Sequence, residues 1–219
     1  MRKELLQILG MSLIVTLFMM TGFISVEPTL VQALTDDDQV IVTLNVDAGV
    51  SIDTPADTTM SNSLGVSVNT AIATSTWTVR TNNAAGYTLA LKASSSPAMR
   101  LNTNVATFIN DYTEASSDVP ETWSVGASTA EFGYSAYGTD VSAGTWGTVG
   151  SALCGATSTP SAALKYLGFT TSNFTIASRS STTTQSGVAT TVCYAVEQGS
   201  TNYIASGIYS AWITTTATT

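Results

Sequence analysis

TSTWTVRTNNAAGYTLALKA, residues 74–93, holds two alternating runs around the polar link NNAAG. Trp77 and Val79 fall on one side of the first run, with Thr76, Thr78 and Arg80 on the other. In the second run Tyr87, Leu89 and Leu91 share a side, opposite Thr88, Ala90 and Lys92. Period-two alternation broken by Asn and Gly predicts a β-hairpin with one buried face. A glycan platform would need its aromatic rings on the solvent face, which here carries Thr, Arg and Lys. Trp77, Tyr87, Leu89 and Leu91 are therefore read as core.

The same pattern recurs along the chain. Strands are expected over 39–46, 64–70, 74–82, 87–94, 106–110, 129–137, 163–169, 173–179, 188–198 and 207–217. Acidic or Gly/Ser/Thr-rich turns separate them, and Ser161–Leu167 could form a helical turn after Pro160. Short strands at fairly even spacing predict an all-β chain. The expected fold is an antiparallel β-sandwich, Ig-like or jelly-roll-like, after an N-terminal signal helix. One domain is expected over residues 34–219.

Residues 1–33 read as a signal peptide: Arg2 and Lys3, an apolar stretch, then Val31-Gln32-Ala33 as the cleavage site. The alternative is an uncleaved membrane anchor, because the apolar run approaches the ~20 residues of a membrane span. Gly22-Phe23 with Glu27 resembles a type IV prepilin site. There the apolar helix follows the cut; here it precedes it, so that reading is set aside. The chain carries a net charge of −8 and has no histidine. Beyond the leader the cations are Arg80, Lys92, Arg100, Lys165 and Arg179, which make no basic stripe for nucleic acid. Cys154 and Cys193 fit one disulfide in an oxidising compartment, worth about 4 kcal/mol in the chain-entropy account. The expected location is secreted or extracellular, at the cell surface.

Without histidine, Ser–His–Asp and Cys–His catalysis are excluded, as are His-ligated metals. Glu114, Glu121, Glu131 and Glu197 could serve a hydrolase built on paired carboxylates, yet nothing in the sequence brings them together. The chain is read as non-enzymatic, with no cofactor. Asp36, Asp37, Asp38, Asp111, Glu114 and Asp118 could offer oxygen ligands to calcium, but no EF-hand spacing frames them. Lys165 alternates onto an apolar face with Ala163, Leu167 and Phe169. It is expected to lay its stem on that face and reach water; a Lys–Asn isopeptide bond is the sharper alternative. Asn173-Phe174-Thr175 is a glycosylation sequon.

The closing stretch Gly207-Ile208-Tyr209-Ser210-Ala211-Trp212-Ile213-Thr214-Thr215-Thr216 resembles the last strand of bacterial surface and fimbrial-type secreted β-sandwich proteins. The resemblance implies an extracellular structural or adhesive role. Tyr209 and Trp212 are expected in or near the core. Val40, Val42, Leu44 and Val46 form an alternating row beside a free terminus, a candidate donor strand for β-augmentation. The function expected is thus a non-catalytic surface β-sandwich, a fibre subunit assembled by strand addition. Its partners would be further copies of itself, other surface proteins or glycans, with membrane contact only through the leader. A secreted carbohydrate-binding module is the alternative, with Trp123, Tyr134, Tyr137 and Trp146 as contact candidates; a paired-carboxylate hydrolase ranks behind it.

Overall fold

The computed structural model describes residues 38–148 and 153–219. The leader, Asp36 and Asp37 lie outside the described residues. Among the described residues the fold is an antiparallel β-sandwich with one short helical turn, and the opening stretch explains its layering.

Strands β1 (Val50–Asp53), β2 (Thr70–Thr81) and β3 (Tyr87–Ala93) come first. The stretch 74–93 is not a hairpin: β2 pairs with β1, whereas β3 belongs to a different sheet. Both strands bury one face in the same core, but from opposite layers, and residues 82–86 carry the chain across. Asn83 Oδ1 accepts from Ala85 N at 2.9 Å, and Gly86 takes a φ of 82° that non-glycine residues rarely adopt.

The remaining strands are β4 (Met99–Leu101), β5 (Asn104–Asp111), β6 (Glu121–Thr122), β7 (Ala130–Gly138), β8 (Gly155–Ala156), β9 (Thr159–Pro160), β10 (Lys165–Gly168), β11 (Phe174–Arg179), β12 (Val188–Gln198), β13 (Tyr209–Ser210) and β14 (Ile213–Thr218). The large sheet runs β1-β2-β12-β7-β5-β4-β13, with β10 also on β7 and β6 on β10. The smaller sheet is β11-β3-β14. Among the described residues only β5 and β7 run parallel, at Asn110↔Glu131 and Asp111↔Phe132.

Between the sheets, Trp77, Val79, Phe132, Tyr134, Val192 and Val196 meet Tyr87, Leu89, Leu91 and Ile176 in one core. Phe169 stacks on Phe132 with centroids 4.8 Å apart. Each such aliphatic side chain contributes about 1.5–3 kcal/mol by leaving water. The turn α1 (Ala143–Trp146), capped by Ser142, carries Trp146 into the same core. It forms here rather than at Ser161–Leu167, where Lys165 onward is strand.

The outer face of the large sheet is covered as well. Cys193 on β12 is bonded to Cys154, whose loop lies over the sheet with Leu164, Tyr166 and Tyr112. The disulfide is a bond of oxidising compartments. This extra layer buries Ala130–Ala136 on both faces, so β7 alternates in sequence but not in exposure.

Three strand expectations are corrected. Of the strand expected over 64–70, only the isolated bridge Gly65↔Val68 forms before β2 starts at Thr70. Residues 38–49 form no strand, and the edge position of the sheet is taken by β1. Ile52 opposes Val79, Arg80 Nη1 bonds Asp53 at 2.7 Å, and Gly49 is held by Asn82 Oδ1 and Thr81 Oγ1. These fixed partners select 50–53 over the equally alternating 39–46. The closing strand splits at Ala211-Trp212, and Trp212 is 66% exposed, not core. Ile213 and Ala217 occupy the inward register, which turns Trp212 outward. Tyr209 is half-buried and packs against the core.

Candidate functional site

The four glutamates that the sequence leaves scattered are gathered by strand register. Glu131 on β7 and Glu197 on β12 are direct antiparallel partners, so both side chains leave the same face. Glu197 accepts from Trp123 Nε1 at 2.7 Å, and Glu114 accepts from the Gly168 amide. Tyr112 Oη donates to Glu121 Oε1 at 3.3 Å and to the Thr122 carbonyl at 3.0 Å. Tyr112 stacks on Trp123 at 4.6 Å, and Tyr166 meets Trp123 edge-on at 5.1 Å. Burial raises the Glu131 pKa; the Thr113 amide and Thr129 hydroxyl oppose the rise, and Glu114 and Glu197 add to it. The Tyr112 phenol is pushed up to about 12, first by burial and then by the Glu121 charge.

Chemically this cluster is a latch. Glu114, Glu121, Glu131 and Glu197 are each bonded by an N–H or O–H of this chain, which ties residues 112–123 across the outer face of the sheet. Sequence reasoning missed the Glu131–Glu197 pairing because register is a long-range property.

The carbohydrate candidates do not assemble into a platform. Tyr134 and Trp146 are buried against each other, with Phe169 on Tyr134 and Phe174 on Trp146, so neither offers a ring face to a sugar. Trp123 and Tyr137 are half-buried on the outer layer, the first between Tyr112 and Tyr166. The described oxygen ligands proposed for calcium are likewise dispersed. Asp111 accepts from Ser96 Oγ and Ala98 N, holding the loop before β4, while Asp118 sits in an exposed turn and Asp38 on the exposed N-terminal segment. Among the described residues no three His, Cys, Asp or Glu side chains converge to hold a metal. Lys165 Nζ donates to the Gly144 carbonyl at 3.2 Å. Asn173 lies exposed just before β11.

A second polar cluster sits where β7 ends. Asp140 accepts from Tyr87 Oη at 2.7 Å and from Arg179 Nη1 at 3.1 Å, joining the two sheets. A shallow, open cleft of about 450 Å³ beside it is lined by Ser142, Ser178, Ser180 and Ser181. Burial is the first cause of a raised Tyr87 pKa, and the Asp140 carboxylate adds to it.

The N-terminal segment exposes a row of apolar side chains. Val40, Ile41, Val42 and Leu44 are 86%, 90%, 87% and 83% exposed, and residues 38–49 carry neither helix nor strand. Apolar residues at every second position are the pattern of a strand with one covered face, yet Val40, Val42, Leu44 and Val46 are all largely exposed. Comparison of the chain with family models, with curated proteins and with solved structures gives no match.

Proposed function

We propose that this chain is a non-catalytic, exported β-sandwich of the cell surface, a structural or adhesive subunit that joins an extracellular fibre by strand addition. The observation that carries it is the row Val40, Val42, Leu44 and Val46, exposed next to a stem clasped by Asn82 and Thr81. Covering four such side chains contributes about 1.5–3 kcal/mol each before ordering costs, a strong drive toward a partner edge. A long exposed apolar segment is otherwise an aggregation liability. The disulfide supports export, and the carboxylates serve the loop latch rather than a cleft.

The test is negative-stain electron microscopy of the exported chain beside a Val42→Asp/Leu44→Asp variant. Filaments from the first and single particles from the second are expected. Single particles from both would remove the fibre reading.

A further inference from the structure

We propose that the outward face of β5, β4 and β13 binds a carboxylated sugar, held by Trp212, Phe108 and Arg100. Such a site serves adhesion and needs no strand addition. Register and parity build the face. Phe108 on β5 opposes Arg100 on β4, and Arg100 opposes Ser210 on β13. Met99, Ile109, Tyr209, Ala211 and Ile213 all pack in or against the core. Successive side chains of a strand alternate in direction. Ile208, Ser210 and Trp212 therefore point to solvent in one row, with Arg100 in the next and Phe108 in the third. Ile208, Trp212 and Phe108 are all exposed. The small Ser210 stands between two large side chains, directly across from Arg100.

The cation at the centre is held in place by the chain around it. Arg100 Cζ lies 6.0 Å from the Phe108 ring centroid. Its Nε donates to Ser95 Oγ at 3.2 Å and to the Pro97 carbonyl at 3.0 Å. Nη1 donates to the Val105 carbonyl at 2.9 Å and Nη2 to the Ser96 carbonyl at 3.2 Å. These bonds fix the guanidinium and leave a second N–H on Nη1 and on Nη2 for an acceptor from outside. Arg80 and Arg179 have carboxylate partners, whereas among the described residues Arg100 has none within ion-pair distance. Asp111, an acid that its charge reaches, gives its oxygens to Ser96 Oγ and Ala98 N. A guanidinium fork in that state is shaped to take a carboxylate.

Size and charge select the occupant. Strand spacing and rise give the face a footprint of about 10 Å by 13 Å. That falls far short of the roughly 800 Å² that each partner of a stable protein complex buries, and it suits a short oligosaccharide. A nucleic acid or an anionic bilayer would meet the net charge of −8 over a wide area. A sugar carrying one carboxylate meets only the local cation. Its polarised C–H face lies on the electron-rich face of an aromatic ring, which Trp212 offers on the solvent side. Its carboxylate then reaches Arg100, the diagonal cross-strand neighbour of Trp212, where pairs lie about 7–8 Å apart.

The test is isothermal titration of the exported chain with trigalacturonate and with sialyllactose, each beside its methyl ester, which keeps the rings and removes the charge. At least one acid should bind, at least tenfold tighter than its ester. Trp212→Ala should bind that acid at least tenfold more weakly with an unchanged melting temperature, because its side chain is mostly in water. Arg100→Gln should bring acid and ester to equal affinity, a levelling that a loosened loop alone does not produce. The acid that binds separates a uronic from a nonulosonic sugar. Binding of neither acid overturns the proposal. So does equal binding of acid and ester by wild type, undiminished binding by Trp212→Ala, or a preference for the acid that survives Arg100→Gln. None of these outcomes depends on filaments, so strand addition stands or falls separately.

Discussion

Replacing Glu131 by Gln removes a buried negative charge while keeping the shape and an acceptor oxygen for the Thr113 amide, now 3.4 Å from Oε2. Glu131 is 9% exposed and directly opposes Glu197 across β7 and β12. Like charges in that position cost roughly 0.2–1 kcal/mol. Burial is the first cause of the raised Glu131 pKa, so the folded chain holds a proton there more tightly than the unfolded chain. The contribution of this group to stability is full below the ordinary carboxylate value of 4.5 and is lost as pH climbs through the raised one. Asp111, also raised chiefly by burial, adds in the same direction. Glu131→Gln should accordingly gain up to about 1 kcal/mol at neutral pH, or about 2–4 °C in melting temperature. The gain should vanish below pH 4.5. Circular-dichroism melts of both chains across that range measure it. A variant less stable at neutral pH, or a difference independent of pH, would refute the reasoning.

Serine at both Cys154 and Cys193 should cost about 2–5 kcal/mol, and limited proteolysis should then cut the loop that Cys154 anchors before any central strand. Gly86→Ala should unfold the chain at lower denaturant, by more than about 1 kcal/mol in a urea titration. Its φ of 82° is unfavourable for alanine, and the added Cβ would overlap the Arg179 carbonyl. Trp123→Phe keeps the stack on Tyr112 but leaves Glu197 without its indole donor. A loss of about 1–3 kcal/mol is expected, read by urea unfolding against wild type.

Strand β12 was legible to the residue, because Val188–Gln198 is a Val/Thr/Tyr-rich run between clear turn signals. Trp77, Tyr87, Leu89 and Leu91 declared their burial for the same reason. What alternation does not encode is the partner. It marks 39–46 as strongly as β2, and only the contacts of Arg80, Thr81 and Asn82 decide that 50–53 is the paired segment. It also does not encode how many layers cover a sheet. Tyr134 read as a glycan-contact candidate, yet its strand is buried on both faces. Trp146 went the same way, since a single capped turn inside a Gly/Ser/Thr loop leaves almost no periodic signal. The Glu131–Glu197 pairing depended on register between distant strands, which no local pattern specifies.

The clasp at Gly49 also sets how the fold would carry load. A pull reaching Gly49 meets Asn82, which accepts from the Gly49 amide at 2.7 Å and donates to the Asp47 carbonyl at 2.8 Å. Behind that clasp the force passes into β2, which is laced to β12 over ten consecutive register pairs, Glu197↔Thr70 through Val188↔Val79. Tension along β2 loads those pairs in shear, so they share it and cannot be peeled one at a time. The tether thus leaves the molecule where its longest ladder can bear the strain.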